Sequence, residues 1–338
     1  MTPGAEHTVS VVVPVYRGAE TLGALLAELA PLTNPFRTPE GRTARVDEVL
    51  LVHDCGPDRS DLVIRDQAAA HAWVRPVWLS RNFGQHAATL AGMASSGSDW
   101  VATLDEDGQH DPAYLGAMLD HAMTEHADVV YAAPVNPAPH GTLRNRCSRW
   151  AKWSLRWLTG NRGAASFHSY RLVLGEVARS VAAYAGPGAY LDVALGWVAR
   201  RVTTCPVRLR DEGRAASGYG FSTLLSHYWH SVLTGGTRLL RAVAVLGVLM
   251  ATVGFLLAAV LVWMRYEDSI EVAGWTSLAV VVLITSGAIL LALGVIAEYL
   301  GVAVHMAMGR PLYVIVSDPH DGPLGADVAE RAEEPEPS

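Results

Sequence analysis

Apolar positions along this chain follow two rhythms. Between Val9 and Ala132 they come as short runs rich in valine and leucine: Val9–Val15, Glu48–Val52, Val74–Leu79, Trp100–Leu104 and Val129–Ala132. These read as strands, with helical patterns over Ala19–Leu29, Ser60–Ala70 and Gln85–Ala94, and another from Pro112 onward. Runs that are apolar at successive positions predict strands buried on both faces. Strands alternating with helices predict an open, mostly parallel α/β sheet with helices on both sides. Pro31–Ala44, with its three prolines, reads as an exposed loop. Ligands of such sheets sit beyond the carboxyl ends of the strands, so Asp54, Asp105 and Asp107 are predicted to share one edge.

Toward the C-terminus the rhythm changes to two long runs, Leu239–Met264 and Ser277–Ala297, where the apolar excess of a chain 50% hydrophobic and 17% charged is concentrated. Each reaches the roughly 20 residues that cross about 30 Å of hydrocarbon as a helix. A short polar link joins them, so they predict a transmembrane hairpin. Arg238 and Arg241 precede the first run and Arg310 follows the second, whereas the link Arg265–Glu271 holds one base against three acids. The positive-inside rule then puts both outer ends in the cytoplasm. The expectation is a multi-pass protein of the cytoplasmic (inner) membrane with its N-terminal region in the cytoplasm. The polar stretch Met1–Thr8 shows no signal-peptide pattern.

Between these regions, residues 142–162 carry Arg144, Arg146, Arg149, Lys152, Arg156 and Arg162 with no acid, and Trp150, Trp153 and Trp157 at helical spacing. An indole stripe beside cations predicts a helix at a membrane surface, among membrane lipid. Tyr219–Leu233 is a second such candidate. Three cysteines without C-x-x-C spacing support neither a disulfide framework nor a zinc site. The formal charge of −7 owes much to the tail 317–338, which reads as disordered, and nucleic acid is excluded as a partner. The predicted divisions are 1–215, 216–238, 239–300, 301–316 and 317–338.

The chemistry centres on Thr103–Pro112, where Asp105 and Asp107 stand one residue apart at a strand end. Two such carboxylates suit a hard divalent cation that bridges to substrate phosphates. The chain also carries Val13-Pro-Val-Tyr16, Val52-His-Asp-Cys-Gly-Pro-Asp58, Ser80-Arg-Asn-Phe-Gly84, Glu298-Tyr-Leu-Gly301 and Gly309-Arg-Pro-Leu-Tyr313. In this order, ahead of and around two spans, they resemble the polyprenyl-phosphate branch of the family 2 glycosyltransferases, relatives of the dolichyl- and undecaprenyl-phosphate enzymes. The resemblance implies a GT-A-like domain that binds a nucleotide sugar, interfacial helices and a two-helix hairpin. It implies metal-dependent, inverting transfer of a monosaccharide from a UDP- or GDP-sugar to polyprenyl phosphate. Pro14 and Tyr16 would floor the nucleotide base, Asp54 would accept a hydrogen bond from base or ribose, and Arg81 or Asn82 would touch the donor. Asp105 would hold the sugar nucleotide or share the metal, Mg²⁺ or Mn²⁺, with Asp107 as direct ligand and Gln109 as a further one. Arg144, Arg146, Arg149, Arg171, Arg210, Arg214 and Ser217 are candidates for the acceptor phosphate, since guanidinium geometry suits it.

The chain departs from the family pattern where Arg17-Gly18 replaces Asn-Glu and where His53 and Cys55 replace Asp and Gly. A glycolipid or lipid-linked glycan hydroxyl is a second acceptor class, which needs a base, for which Asp192 is the candidate. A non-catalytic subunit partnering a flippase is a third reading. Relatives with two spans often assemble, which makes a homo-oligomer an expectation.

Overall fold

The computed structural model describes residues 6–135, 168–186, 190–210, 238–266, 275–308 and 311–321. The sheet unit comprises β1 (His7–Val15), α1 (Leu22–Leu29), β2 (Phe36–Arg37), β3 (Thr43–His53), α2 (Ser60–Ala70), β4 (Val74–Leu79), α3 (Gln85–Ser95), β5 (Trp100–Thr103), α4 (Leu115–Glu125) and β6 (Val129–Pro134). It continues with β7 (Arg171–Leu174), α5 (Gly175–Tyr184), α6 (Leu191–Val198), β8 (Val202–Val207) and, far along the chain, β9 (Ile315–Val316). The strand order is β8-β6-β7-β5-β1-β3-β4-β9, with β2 paired to β3. β1 runs parallel to β3 and β5, and β3 parallel to β4. The sheet is α/β and mostly parallel, as the alternation predicts.

Successive residues of a strand face opposite sides, and β1 shows it directly. Val9, Val11, Val13 and Val15 join Leu22, Leu26, Ile64, Leu115 and Leu119 on the face covered by α1, α2 and α4. Val12 joins Ala88, Leu90, Val181 and Leu191 on the face covered by α3, α5 and α6. Burial on both faces is what made the run β-branched without alternation.

The differences from the sequence expectation are local. Helix α1 starts at Leu22, not Ala19, because Thr21 and Leu22 donate their amides to the Gly18 carbonyl in a turn. The expected loop Pro31–Ala44 contains β2, and β3 begins at Thr43. β7 lies antiparallel between β5 and β6, which leaves β6 and its parallel neighbour β8 pointing the same way as β5. The chain then returns after two long helices to pair β9 antiparallel with the end of β4.

Those helices, α7 (Arg238–Tyr266) and α8 (Trp275–Ala307), form a separate compact unit. Their 29 and 33 residues are each ample for a hydrocarbon core at 1.5 Å per residue. Among the described residues, one window, Ile284–Gly301, is apolar and long enough to cross a membrane, and Val243–Leu256 in α7 is a shorter apolar run. The basic Trp segment 142–162 and the stretch Tyr219–Leu233 lie outside the described residues, as do Arg144, Arg146, Arg149, Arg214 and Ser217.

Candidate active site

The carboxyl ends of β1, β3, β4 and β5 meet at one edge, and each contributes a loop. The β5 loop is the most constrained. The amide of Asp105 donates to Nδ1 of His110 at 3.0 Å, which fixes His110 as the Nε2–H tautomer, with that nitrogen 3.7 Å from Asp105 Oδ2. Burial holds the imidazole down at about 4, so it is neutral at pH 7. His110 stacks on Tyr170 at 5.0 Å, and Tyr170 donates its hydroxyl to the Asp111 carbonyl at 3.0 Å. His168, whose imidazole burial and the neighbouring His110 likewise hold at about 4, leans on His110 at 5.3 Å. An uncharged floor of aromatic rings therefore lies beneath the acidic loop.

Above that floor the two aspartates differ. Asp105 is held on both oxygens, by Gln85 Nε2 from α3 at 2.6 Å and by the Ser169 hydroxyl from the start of β7. Asp107 takes the Gln109 amide on Oδ1 at 3.1 Å in a tight Asx turn. Its second oxygen takes no hydrogen bond from the described residues. No three His, Cys, Asp or Glu side chains converge as an ion cage among the described residues. A divalent cation held by one or two carboxylates and completed by substrate phosphates needs no such cage. Asp107 with its open oxygen fits that arrangement, and Asp105 is the oriented neighbour.

Glu106, between them, was not singled out by the sequence reading. Its carboxylate turns back to β1 and accepts from the Tyr16 amide at 2.9 Å and from the Arg17 amide at 3.0 and 3.2 Å. A side chain at residue 18 would collide with it: a Cβ there would lie 2.8 Å from Glu106 Oε2 and 2.9 Å from Leu22 Cγ. Gly18, a departure from the family pattern, is what admits Glu106. No local signal reveals this pairing, because it joins residues 90 apart.

Pro14 is buried in β1, and Tyr16, 39% exposed, follows it on the open edge with Arg17 5.7 Å over its ring. The β3 loop passes directly under Tyr16: a Cβ at Gly56 would meet the Tyr16 carbonyl at 1.6 Å, so only glycine fits. Just before it, Cys55 adopts φ +50°, the left-handed region that the family's usual glycine takes without strain. Asp54 is 3% exposed, and its two oxygens accept from the Phe83 and Gly84 amides at 2.7 and 2.8 Å. Burial raises its pKa, against the pull of those two amides. In the structure Asp54 thus anchors the Ser80–Gly84 loop, with Arg81 and Asn82 exposed at its tip and Arg81 stacked 4.1 Å over Phe83.

The acceptor candidates that the structure describes are both ion-paired. Arg171 is 3% exposed and bound to Asp192, which also accepts the Tyr131 hydroxyl at 2.9 Å. This buried triad joins β7, α6 and β6. It commits Arg171 to the interior rather than to a lipid phosphate, and it removes Asp192 as a base for a hydroxyl acceptor. Arg210 stays at the edge: its amide donates to the Gln109 carbonyl at 3.2 Å, and its guanidinium spans Glu28 at 2.7 Å and Asp111 at 3.0 Å.

A parallel sheet whose carboxyl edge gathers an acidic metal-competent loop, a tyrosine floor and a polar β4 loop defines the class, an α/β domain that binds a phosphorylated donor. The chain belongs to glycosyl transferase family 2: the family description "Glycosyl transferase family 2" matches residues 10–175, and relatives more than 30% identical span nearly the whole chain. One is the undecaprenyl-phosphate 4-deoxy-4-formamido-L-arabinose transferase of Pseudomonas aeruginosa (strain LESB58), 32% identical over 93% of this chain and 91% of its own. An uncharacterized glycosyltransferase of Bacillus subtilis (strain 168) is 26% identical over 90% and 92%. Among solved structures, glucosyl-3-phosphoglycerate synthase from Mycobacterium tuberculosis is 17% identical with TM-score 0.47, covering 69% of this chain and 79% of that one. The protein is an enzyme, a glycosyltransferase.

Proposed function

We propose that this glycosyltransferase moves a monosaccharide from a nucleotide sugar to polyprenyl phosphate at the cytoplasmic face of a membrane, with inversion and with Mg²⁺ or Mn²⁺. The observation that carries the reading is the acidic loop at the end of β5, with Asp105 locked by Gln85 and Ser169 and Asp107 left one open oxygen. The relatives named undecaprenyl-phosphate transferases support the acceptor class.

Tyr16 would carry the nucleotide base, and Arg81 and Asn82 would flank the donor. Asp105, fixed in orientation, would accept from the sugar or its nucleotide, while Asp107 and, beside it, Gln109 would hold the cation. A cation bound there supplies positive charge to the departing nucleotide diphosphate. The acceptor phosphate oxygen is already anionic, so a single displacement at the anomeric carbon needs no general base, and a single displacement inverts. What the protein must provide is alignment and cationic charge. Arg210 at the edge, with Arg144, Arg149 and Ser217, is the proposed source.

Membrane attachment by both long helices is supported by connectivity. The chain leaves the sheet unit after Arg210 and rejoins it at β9, so an even number of crossings lies between, and α7 and α8 are the proposed pair. Large apolar side chains such as Leu249, Phe255 and Trp263 in α7 and Leu278, Leu290 and Leu300 in α8 are all more than half exposed.

The test is transfer by purified protein with undecaprenyl phosphate and a panel of UDP- and GDP-sugars, scored by mass spectrometry. Asp107→Ala is expected to lower turnover by at least about a hundredfold, the scale of losing a transition-state charge partner. Near-normal turnover in that variant would sink the metal assignment.

A further inference from the structure

The motif Gly309–Tyr313 and the strand after it lie some 200 residues beyond the acidic loop, and nothing in the proposed chemistry uses them. In the structure this segment comes home to the donor edge. Leu79 pairs with Ile315 and Trp78 with Val316, and the Ser80 amide donates to the Val314 carbonyl at 3.0 Å. Leu312 and Tyr313 pack on the same apolar cluster as Phe83. Two residues further on, Asp318 grips Arg65 of α2 through Nε at 2.9 Å and Nη2 at 2.9 Å, and that guanidinium lies 4.8 Å over Trp78.

A strand added at a sheet margin ordinarily protects the margin from foreign pairing. The placement argues against that role here. β9 covers only the last two residues of β4, leaving Arg75 and Pro76 exposed, and a proline and a charge already blunt that stretch. The contacts concentrate where β4 passes into the Ser80–Gly84 loop. That loop then has two anchors, the Asp54 carboxylate on Phe83 and Gly84 and the returning segment on Ser80. With only the first, the tip bearing Arg81 and Asn82 would hang from one end.

We propose that the segment Pro311–Asp318 is a positioning element of the donor site. It fixes the Ser80–Gly84 loop from outside while Asp54 fixes it from within, so the chain emerging from the last long helix completes the site that begins at β1. The effect on donor binding rests on the proposed role of Arg81 and Asn82; the anchoring itself does not.

The experiment uses the full-length protein in detergent or nanodiscs with two substitutions, Val316→Pro, which removes an amide from the short ladder, and the milder Asp318→Asn, which weakens the grip on Arg65. Hydrogen exchange read by mass spectrometry should rise several-fold in peptides covering 80–84 and stay near wild type in β1 and β5. The donor KM should rise about fivefold with the acceptor KM unchanged, and Arg81→Ala should show the same split. Unchanged exchange at 80–84 when 311–318 has loosened would overturn the proposal, as would exchange rising evenly across the sheet, the mark of general destabilisation. If exchange rises at 80–84 while neither these variants nor Arg81→Ala alters the donor KM, the loop's role in donor binding is overturned and only its anchoring stands.

Discussion

Glu106 and Gly18 show how two residues that look unremarkable in the sequence become a single device. The carboxylate bridges the acidic loop to the amides of Tyr16 and Arg17, and the missing side chain at residue 18 makes the room for it. Bonds from backbone amides to a charged group are worth about 1.5–3 kcal/mol when desolvated and less in the open, as here. Glu106→Ala is therefore expected to weaken nucleotide binding by about 1 kcal/mol, or roughly fivefold. Gly18→Ala should do the same by displacing the carboxylate, and the double variant should be no worse than either single one. Calorimetry with UDP and GDP on all three decides it; additive losses would mean the two residues act separately. Arg171 and Asp192 make the opposite kind of pair, buried and far from solvent. Arg171→Met alone should destabilise by about 3–5 kcal/mol, because it strands a buried carboxylate and the Tyr131 hydroxyl bound to it. Replacing all three, as Arg171→Met with Asp192→Leu and Tyr131→Phe, should recover much of that loss in thermal melts, since no buried polar group is then left without a partner.

At the scale of elements, what the sequence announces is what local chemistry dictates. β1 and β5 are runs buried on both faces, β4 and β6 are so over Val77–Leu79 and Val129–Ala132, and α1 to α4 carry apolar faces, so periodicity alone places them. β3 is longer than the apolar run predicts because its first half alternates: Ala44 and Val46 are buried between the more exposed Thr43, Arg45 and Asp47. That short alternation is easily mistaken for a charged loop. β7 is four residues opening on Arg171, β8 is broken by Pro206, and β9 is two exposed residues, so each is too short or interrupted to stand out as a strand. Their partners, distant in the chain, make them strands. The site divides the same way. Asp105 and Asp107 declare themselves through spacing at a strand end. The groups that orient them, Gln85, Ser169 and His110, and the anchoring role of Asp54, depend on which loops the sheet brings together. Arg171 illustrates the converse, since a basic residue in a family-like motif reads the same whether it faces a ligand or a buried carboxylate.

At the scale of the whole molecule, the return of β9 to β4 limits how the chain can meet a membrane. The chain leaves the sheet unit before α7 and re-enters it after α8, so if both helices cross as proposed, the link between them is expected on the opposite side of the bilayer. Ser269→Cys should react with a membrane-impermeant maleimide in intact cells, whereas Cys55, exposed on the sheet unit, should react only after lysis. Protection of both until lysis would mean that the helices do not cross.

The antiparallel placement of β7 has a consequence for where such a chain can change. Because β6 and β8 point the same way as β5 and β7 points back, the chain leaves the sheet at Val135 and Arg210 and re-enters it before Arg171, all on the edge that bears the acidic loop. The chain thus departs from the sheet after Val135 and after Arg210 at that edge alone, and neither departure interrupts β1, β3, β4 or β5. Those two stretches can therefore change in length, or be exchanged with those of a relative, without cutting β1, β3, β4 or β5.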